Sequence, residues 1–275
     1  MKADTFARFS AFLEQHSGIL LSADKQYLVE TRLSRLARAR GHASVEALIE
    51  ALLSRRDRGL ARDVVDAMTT NETLWFRDGY PFAALEKKFF PEAVAAKKSH
   101  YRIWSAACST GQEAFSISIT AEEQRVPFNV EIVGTDISEA VVEKARKGVF
   151  DDLSLGRGLS PERKRQYFVK TAEGWKIAPA ISRRVQFRQG NLLELRPETR
   201  RYDLVFCRNV LIYFSRETKA KIIDRIADTL VPGGYLILGA SESPTASRAD
   251  GTASWSAPDR SFSKNWHAYR ICPRH

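Results

Sequence analysis

Residues 103–113 have the sequence Ile-Trp-Ser-Ala-Ala-Cys-Ser-Thr-Gly-Gln-Glu, in which an apolar run leads into small residues and then into a helical pattern. Small side chains let a ligand approach the backbone, and the first turn of a helix offers N–H groups without intrahelical partners. Strand–helix turns that bind nucleotides commonly carry three glycines, whereas this stretch has only Gly111. An ordinary connection between a strand and a helix is therefore an equally good interpretation of these residues alone.

Apolar runs and helical patterns alternate on both sides of this stretch. The apolar runs are Tyr101–Trp104, Val130–Val133, Val185–Phe187, Leu204–Cys207 and Tyr235–Leu238. The helical patterns are Glu113–Glu123, Ser138–Lys147 and Arg216–Leu230, and a last strand is expected within Trp266–Cys272. Strand–helix alternation predicts an α/β domain with a mostly parallel sheet.

One stretch, Gly156 to Arg188, is too long for a simple connection. We interpret it as an insertion, a helix followed by a small β-ribbon that runs from Lys170 to Arg188. Residues 157–188 contain nine lysines and arginines and only two glutamates, so the insertion is basic. The segment 243–265 is rich in Ser, Ala and Asp and is predicted to be a loop, to which we assign no function.

The first part of the chain predicts a small helical bundle. Apolar residues repeat at helical spacing in four groups: Phe6, Phe9 and Leu13; Val29, Leu33 and Leu36; Val45, Leu48, Ile49, Leu52 and Leu53; Leu60, Val64 and Met68. Ser22 and Ser44 are predicted to cap the second and third helices, and Gly41 to end the second. We expect a helical domain over 1–70, a linker and a helix interrupted or shifted at Pro91 over 71–100, and the α/β domain over 101–275 with its insert at about 157–188.

The composition is that of a globular protein, with 275 residues of which 44% are hydrophobic and 28% charged. No run of about 18 apolar residues predicts a membrane span, and Met1–Ser10 lacks the pattern of a signal peptide. Three cysteines without paired or metal-binding spacing suit a reducing cytoplasm, and we expect neither a disulfide nor a metal site. The net charge of +10 indicates an acidic partner without identifying it.

Asp136 ends the second apolar run and lies 25 residues after Gly111. An acidic residue at this distance, after the second strand, is placed to accept hydrogen bonds from ribose hydroxyls. The alternative is a helix-capping aspartate, because Ser138 and a helical pattern follow. The spacing favours ribose binding.

Polar residues also follow the third and fourth apolar runs. The amide of Asn191 is suited to an adenine edge and Leu192 to its face, although a glycine–asparagine turn is the favoured interpretation of that pair alone. Arg208 and Asn209 lie among apolar residues, where they are unfavourable to bury unless paired. Because ligands bind at the carboxyl ends of strands in doubly wound sheets, we interpret these two as site residues.

A Pro-Gly-Gly turn at 232–234 precedes the last predicted strand of the five. This turn and the order of the elements are habitual in class I methyltransferases, whereas a dehydrogenase would show a GxGxxG first turn. Beyond that class, the chain resembles the CheR family of chemotaxis receptor glutamate methyltransferases. The matching motifs are Asn71-Glu72-Thr73-x-x-Phe76-Arg77, Trp104 to Glu113, Asp136-Ile137-Ser138, Asn191-Leu192, Phe206 to Phe214 and Ser241-Glu242-Ser243.

The resemblance implies a doubly wound Rossmann-like methyltransferase domain with a small N-terminal all-helical domain and a small β-ribbon insert. It implies S-adenosylmethionine as methyl donor and S-adenosylhomocysteine as product. The implied cofactor contacts are Asn71, Thr73, Arg77, Glu113, Asp136, Asn191, Leu192, Arg208 and Asn209. Arg77 and Tyr213 are implied to lie next to the transferred methyl group, and the alternative for Arg77 is a surface salt bridge near Asp78.

The implied reaction needs no general base, because a glutamate carboxylate, with a reference pKa of about 4.3, is already ionised at neutral pH. The guanidinium of Arg77 has a fork geometry suited to a carboxylate and does not act as a base. Whether it contacts the carboxylate of the substrate or that of the cofactor is open. Arg77→Ala is expected to lose most turnover.

The acceptor is expected to be an acidic helical region of chemotaxis receptors, with no nucleic acid and no membrane insertion. Two basic surfaces are candidates: Arg32, Arg35 and Arg38 with Arg40 nearby, and the insert 157–188. A solvated charged face is the alternative for each, and the resemblance favours the first. The insert is shorter than in relatives that grip a receptor's C-terminal tether peptide, so we expect no need of the tether.

Two other functions remain open. One is a methyltransferase acting on RNA or a small molecule, although the chain lacks the alternation of basic and aromatic residues typical of RNA binding. The other is a module that binds the cofactor without catalysis, which is expected to lack Arg77 or Tyr213.

Overall fold

The computed structural model describes residues 1–54, 57–194, 201–244, 255–256 and 267–271. The helices are α1 Ala3–Ser17, α2 Gln26–Ala39, α3 Val45–Ser54, α4 Arg58–Met68, α5 Tyr80–Ala84, α6 Phe90–Ala95, α7 Gln112–Glu123, α8 Glu139–Lys147, α9 Asp152–Gly156, α10 Pro161–Tyr167, α11 Pro179–Ser182 and α12 Arg216–Thr229. The strands are β1 His100–Ala106, β2 Asn129–Asp136, β3 Val149–Phe150, β4 Phe168–Thr171, β5 Gly174–Ile177, β6 Val185–Gln189, β7 Tyr202–Cys207, β8 Leu230–Leu238 and β9 Ala268–Arg270. Within these residues, every helix is too short or too polar to cross a membrane.

The four predicted N-terminal helices form and enclose one apolar core, in which Phe9, Leu33, Leu48 and Val64 are fully buried. The predicted cap at Ser44 is confirmed, since its hydroxyl accepts a hydrogen bond from Ala47 N at 3.1 Å. The cap predicted at Ser22 is not: its side chain makes no capping bond, and a 3₁₀ turn at Ala23–Lys25 comes before α2.

The predicted mostly parallel sheet is confirmed, with six strands in the order β6-β2-β1-β7-β8-β9. The first five run parallel, and β9 pairs antiparallel with β8. The strand order reverses between β1 and β7, so the connections that follow these two strands leave in opposite directions and open a crevice at their carboxyl ends.

The helix expected to be interrupted or shifted at Pro91 is not interrupted, since it continues from Tyr80 to Ala95 with a local change of helical pitch. A π-helical segment, Leu85–Phe89, joins α5 to α6 directly before the proline. Pro91 has no N–H to donate into the preceding turn, and the wider π turn accommodates its ring without ending the helix.

The insert is a helix and a β-ribbon, but the ribbon predicted from Lys170 to Arg188 is wrong in extent. β4 and β5 cover residues 168–177, and β3 joins them in a separate sheet of order β3-β5-β4. The later residues form α11 and then β6, which pairs with β2 in the main sheet. Phe187 on β6 packs against Phe115 with ring centroids 5.2 Å apart, and this burial holds β6 in the main sheet.

A last strand within Trp266–Cys272 is confirmed as β9. Most of the loop predicted over 243–265 lies outside the described residues. The division of the chain at residue 70 stays a prediction.

Candidate active site

A cavity of about 250 Å³ lies at the carboxyl ends of the central strands, between the sheet and the N-terminal helices. Every residue predicted to contact the cofactor or the methyl group lines it: Asn71, Thr73, Arg77, Glu113, Asp136, Asn191, Leu192, Arg208, Asn209 and Tyr213. Sequence motifs spread over more than 140 positions therefore meet at one place. The ligand atoms that each residue contacts remain a prediction.

The loop after β1 forms one wall of the cavity through unusual backbone conformations. Ala107, Ser109 and Gly111 have φ of +60°, +51° and +93°. At Gly111 a Cβ would lie 2.9 Å from Phe187 Cζ, so only glycine fits there. The loop turns Ser109 N towards Asp136, while Ser109 Oγ donates to Asn71 O at 2.9 Å.

Asp136 lies at the end of β2 with 7% of its surface exposed. One carboxylate oxygen accepts from Ser109 N at 2.8 Å and the other from Ser138 N at 3.0 Å. Burial raises the pKa of Asp136, although these backbone hydrogen bonds oppose the rise. The cap of α8 is Ser138 instead, whose hydroxyl accepts from Val141 N. Each oxygen of Asp136 has a second lone pair, so the carboxylate can accept from a diol in the cavity.

Residues 69–79, which we call the strap, cross the cavity between α4 and α5. Phe76 and Asp78 have φ of +50° and +67°, a conformation that side chains rarely adopt and that the surroundings must enforce. Trp75 is fully buried against three aromatic rings from α7, β3 and β4: Phe115, Phe150 and Phe168. This anchor fixes the strap to the insert.

Arg77 is the cation that the strap presents to the cavity. Its Nη1 lies 3.4 Å from Glu72 O, and no carboxylate of the described residues lies within 4 Å of its guanidinium. The surface salt bridge considered for it is not formed, since Asp78 pairs with Arg208 instead. Arg77 is thus available to an anionic group in the cavity.

Arg208 follows β7, and its side chain is 1% exposed. Its guanidinium donates to Glu113 at 2.9 Å, to Asp78 at 2.6 Å and to Arg77 O at 2.9 Å. Burial disfavours its charge, but Glu113, Tyr80 and Asp78 outweigh this effect and raise the pKa of Arg208. Arg208, which was predicted to contact the cofactor, therefore also links the strap to α7.

Asn191 also makes contacts that the sequence did not indicate. Its amide nitrogen donates to His16 O at 2.9 Å, and its oxygen accepts from Leu193 N at 3.0 Å. The amide thus ties the end of α1 to the α/β domain and stabilises a local turn, which leaves one N–H and one lone pair for a ligand. A second link runs from Leu20 N to Tyr213 O, at 2.9 Å.

Sequence reasoning missed the contribution of the N-terminal helices to the cavity. Leu28 and Arg32 line it from α2, at positions i and i+4. Lys25 lines it from the 3₁₀ turn before α2, and Leu20 and Leu21 from the preceding loop. The helical spacing in α2 was the available signal, but nothing in it shows which face meets another domain.

The predicted receptor patch is divided by the structure. Arg32 turns inward and donates to the carbonyls of Met68 and Thr69 and to the Thr70 hydroxyl, so it does not belong to an outer surface with the other two. Arg35 and Arg38 are exposed, and no acidic group in the described ranges pairs with them.

The basic insert is largely neutralised by its own surroundings. Six of its nine cationic side chains form ion pairs: Arg157 with Glu72, Arg163 with Glu123, Lys164 and Lys170 with Asp152, Arg165 with Glu162, and Arg184 with Glu122. Few cations of the insert are therefore left to bind an acidic partner.

Comparison with known proteins agrees with this geometry. Residues 71–254 match the family described as CheR methyltransferase, SAM binding domain, and residues 4–69 match CheR methyltransferase, all-alpha domain. Fold and cavity thus define an S-adenosylmethionine-dependent methyltransferase. The chain belongs to the CheR methyltransferase family.

Curated relatives extend the match over most of the chain. The protein is 51% identical over 243 residues to the chemotaxis protein methyltransferase of Vibrio parahaemolyticus, covering 86% of this chain and 88% of the relative. It is 49% identical over 245 residues to chemotaxis protein methyltransferase 1 of Pseudomonas aeruginosa, covering 86% and 89%. It is 46% identical over 245 residues, with the same coverage, to chemotaxis protein methyltransferase Cher2 of Pseudomonas putida.

Proposed function

We propose that this protein transfers the methyl group of S-adenosylmethionine to glutamate side chains of chemotaxis receptors, forming glutamyl methyl esters. The relatives are named chemotaxis protein methyltransferases, which supports the receptor as substrate. The observation that carries the proposal is the placement of Arg77, an unpaired cation, on the same cavity as Tyr213 and Asp136.

The residues around the cavity fit the methyl donor. Asp136 offers carboxylate oxygens to the ribose hydroxyls, and the Asn191 amide with Leu192 offers an edge and a face to adenine. Glu113 provides a negative charge for the amino group of the methionine portion, and Arg77 is a proposed cofactor contact beside the transferred methyl group. Asn71, Thr73, Arg208 and Asn209 complete the proposed contacts, since they line the same space.

The bound cofactor supplies an electrophilic methyl group on a sulfonium. The chain's own task is to bring a glutamate oxygen in line with that group and to exclude water from the contact. Arg77 is suited to orient a carboxylate by two parallel hydrogen bonds. Tyr213 is suited to fix the reacting groups through its hydroxyl, and both residues are our candidates for catalysis.

No proton has to be removed in this reaction, because the incoming carboxylate is already ionised at neutral pH. The cavity agrees with that requirement. Among the described residues that line it there is no histidine. The carboxylates of Glu72, Glu113 and Asp136 are held by Arg157, by Arg208 and by backbone amides, respectively. The residues of the cavity are therefore suited to orient the incoming carboxylate and to stabilise charge rather than to remove a proton.

The receptor surface that we propose is the exposed part of α2, represented by Arg35 and Arg38. Their side chains are exposed and have no acidic partner in the part of the chain that the structure describes, while the cations of the insert are mostly paired. Arg32, on the inner face of the same helix, is held by Met68, Thr69 and Thr70 and does not belong to this surface. An acidic receptor helix across α2 would bring its glutamate towards the cavity that α2 lines.

We also propose that the enzyme works in the cytoplasm and without a receptor tether peptide. In support, β4 and β5 have four residues each and are joined by only two residues, so the insert is a compact hairpin.

The test is tritiated methyl transfer to a purified receptor signalling fragment, followed by mild alkali. Base-labile label that disappears when the candidate glutamates are changed to glutamine or alanine is the expected result. Alkali-stable label would indicate a different acceptor, such as RNA. Binding of S-adenosylhomocysteine without any transfer would indicate a non-catalytic module.

A further inference from the structure

Glu242 is a buried carboxylate beside the cavity, 6% exposed, in a family motif to which we attached no role. One of its oxygens accepts from Asn209 N and from Gly239 N, both at 2.8 Å, and the other accepts from Leu211 N at 2.8 Å. Within the described ranges no lysine or arginine pairs with it. Its charge is therefore held by backbone amides, and these amides are in turn ordered by it.

Two of these amides, those of Asn209 and Leu211, belong to residues 209–213, which we call the Tyr213 loop. Asn209 has φ of +57°, a strained conformation that persists only where neighbouring groups fix it. The loop then forms a short 3₁₀ helix, Leu211–Tyr213, whose last residue lines the cavity. Glu242 binds the loop on both sides of Val210, so it fixes the strained residue and the start of that helix together.

Gly239 allows this close approach. A Cβ at this position would lie 2.6 Å from the Glu242 carboxylate and 3.0 Å from Asn209 N. The glycine, the carboxylate and the loop form one packed unit at the ends of the neighbouring strands β7 and β8.

We propose that Glu242 is a positioning residue for methyl transfer, which holds the Tyr213 loop so that Tyr213 reaches the reacting groups. This inference rests on the proposed function, because the role of Tyr213 is part of that proposal. Glutamine at 242 would retain one acceptor oxygen but turn an NH₂ group towards a backbone N–H, which would displace the loop.

The experiment is a double-mutant cycle on kcat for methylation of the receptor fragment, with wild type, Glu242→Gln, Tyr213→Phe and the double variant. We expect Glu242→Gln to lower kcat by about tenfold or more in the wild-type background and by less than about threefold in the Tyr213→Phe background. The KM for the fragment should stay within about threefold of wild type. A merely structural role would remove active enzyme by the same factor in both backgrounds, and that result would overturn the proposal.

Asp203→Asn is the control, because Asp203 is also a buried carboxylate that accepts from a backbone amide, Arg102 N, and it lies at the opposite end of β7, where it also pairs with Lys98. Its effect should be equal in both backgrounds. If Glu242→Gln does not fold, Gly239→Ala serves instead, since the added methyl group displaces the carboxylate without removing it.

Hydrogen exchange of the Asn209 and Leu211 amides separates this inference from the proposed function. Exchange should become at least about tenfold faster in Glu242→Gln than in Asp203→Asn, with or without a methylatable receptor. Unchanged exchange overturns the inference. A wild-type enzyme that labels no receptor fragment overturns the proposed function, while the exchange result still decides whether Glu242 holds the loop.

Discussion

Arg208 donates to the carboxylate of Asp78 at 2.6 Å, across 130 positions of sequence. The same nitrogen donates to Arg77 O, so Arg208 also holds the backbone of Arg77, whose side chain lines the cavity. Since Glu113 binds the other side of the guanidinium, the strap is locked to the first turn of α7. The strained conformation of the strap is held by this lock.

Asp78→Asn should loosen the strap. Its carboxylate is partly exposed, so the change is expected to lower the free energy of unfolding by only about 1–2 kcal/mol while lowering kcat by about tenfold. Chemical denaturation and receptor methylation measure the two effects. Asp63→Asn is the control, because Asp63 is similarly exposed and pairs with Arg40 away from the cavity. Equal loss of kcat in both variants would contradict the locking role.

Arg77→Ala should lower kcat by about 10²-fold or more, because the cavity loses the cation that orients the carboxylate. The change should leave the melting temperature close to that of wild type, since Arg77 makes only one long hydrogen bond among the described residues. Arg77→Lys keeps the charge and should recover part of the activity. Wild-type turnover of Arg77→Ala on a receptor fragment would remove Arg77 from the mechanism.

Charge reversal at Arg35 and Arg38 should raise the KM for the receptor fragment by about tenfold with little effect on kcat. Added salt should raise KM in wild type and have a weaker effect in the variant. The matched control is reversal at Arg165 and Arg183, which are exposed on the insert and change the net charge equally. A larger effect from the control pair would move the receptor surface to the insert.

Gly158→Ala should destabilise the strap through the insert. Gly158 has φ of +94°, and a Cβ there would lie 2.2 Å from Trp75 O. A loss of about 2 kcal/mol or more in the free energy of unfolding is expected, with weaker binding of S-adenosylhomocysteine. Gly156→Ala is the control, because no atom lies within 4 Å of its added Cβ. Equal free energies of unfolding and equal affinities for S-adenosylhomocysteine in the two variants would count against the coupling of the insert to the strap.

Asp136 should make stability depend on pH. Burial raises its pKa in the folded protein, so its contribution to stability is complete below the unfolded value of about 3.9 and is lost as pH rises through the folded pKa. The free energy of unfolding of wild type, relative to Asp136→Asn, should therefore fall as pH increases from about 4 to 7. Asp66, whose pKa burial also raises, is present in both proteins, so its own titration largely cancels in the difference. A difference that rises with pH would contradict the prediction.

The sequence predicted the architecture well because local patterns encode it. Helical spacing located the four N-terminal helices, and apolar runs located the five parallel strands, since burial of one face imposes these periods on the residues. The insert was harder. Residues 170–188 contain both a ribbon strand and a strand of the main sheet. The apolar run Val185–Phe187 predicted the second, but the pattern did not show where the ribbon ends, which the structure places at Ile177.

The sequence predicted which residues form the candidate site, but it did not predict which partners each side chain binds. Motifs identified Arg208 and Asn191 as polar groups at strand ends, and the structure shows that both are largely engaged by the protein. Likewise, Arg32 shares the spacing of Arg35 and Arg38, yet it turns inward to the end of α4.

From the sequence alone came the type and approximate place of most strands and helices, and the family that the motifs resemble. Only the tertiary structure decided that Asp78 pairs with Arg208, that α2 lines the cavity, and that Glu242 holds the Tyr213 loop. Periodicity shows which face of an element is buried, because apolar residues on that face recur once per turn in a helix and at every second residue in a strand. A hydrogen bond between distant positions leaves no such period, and its partners are known only once the chain has folded.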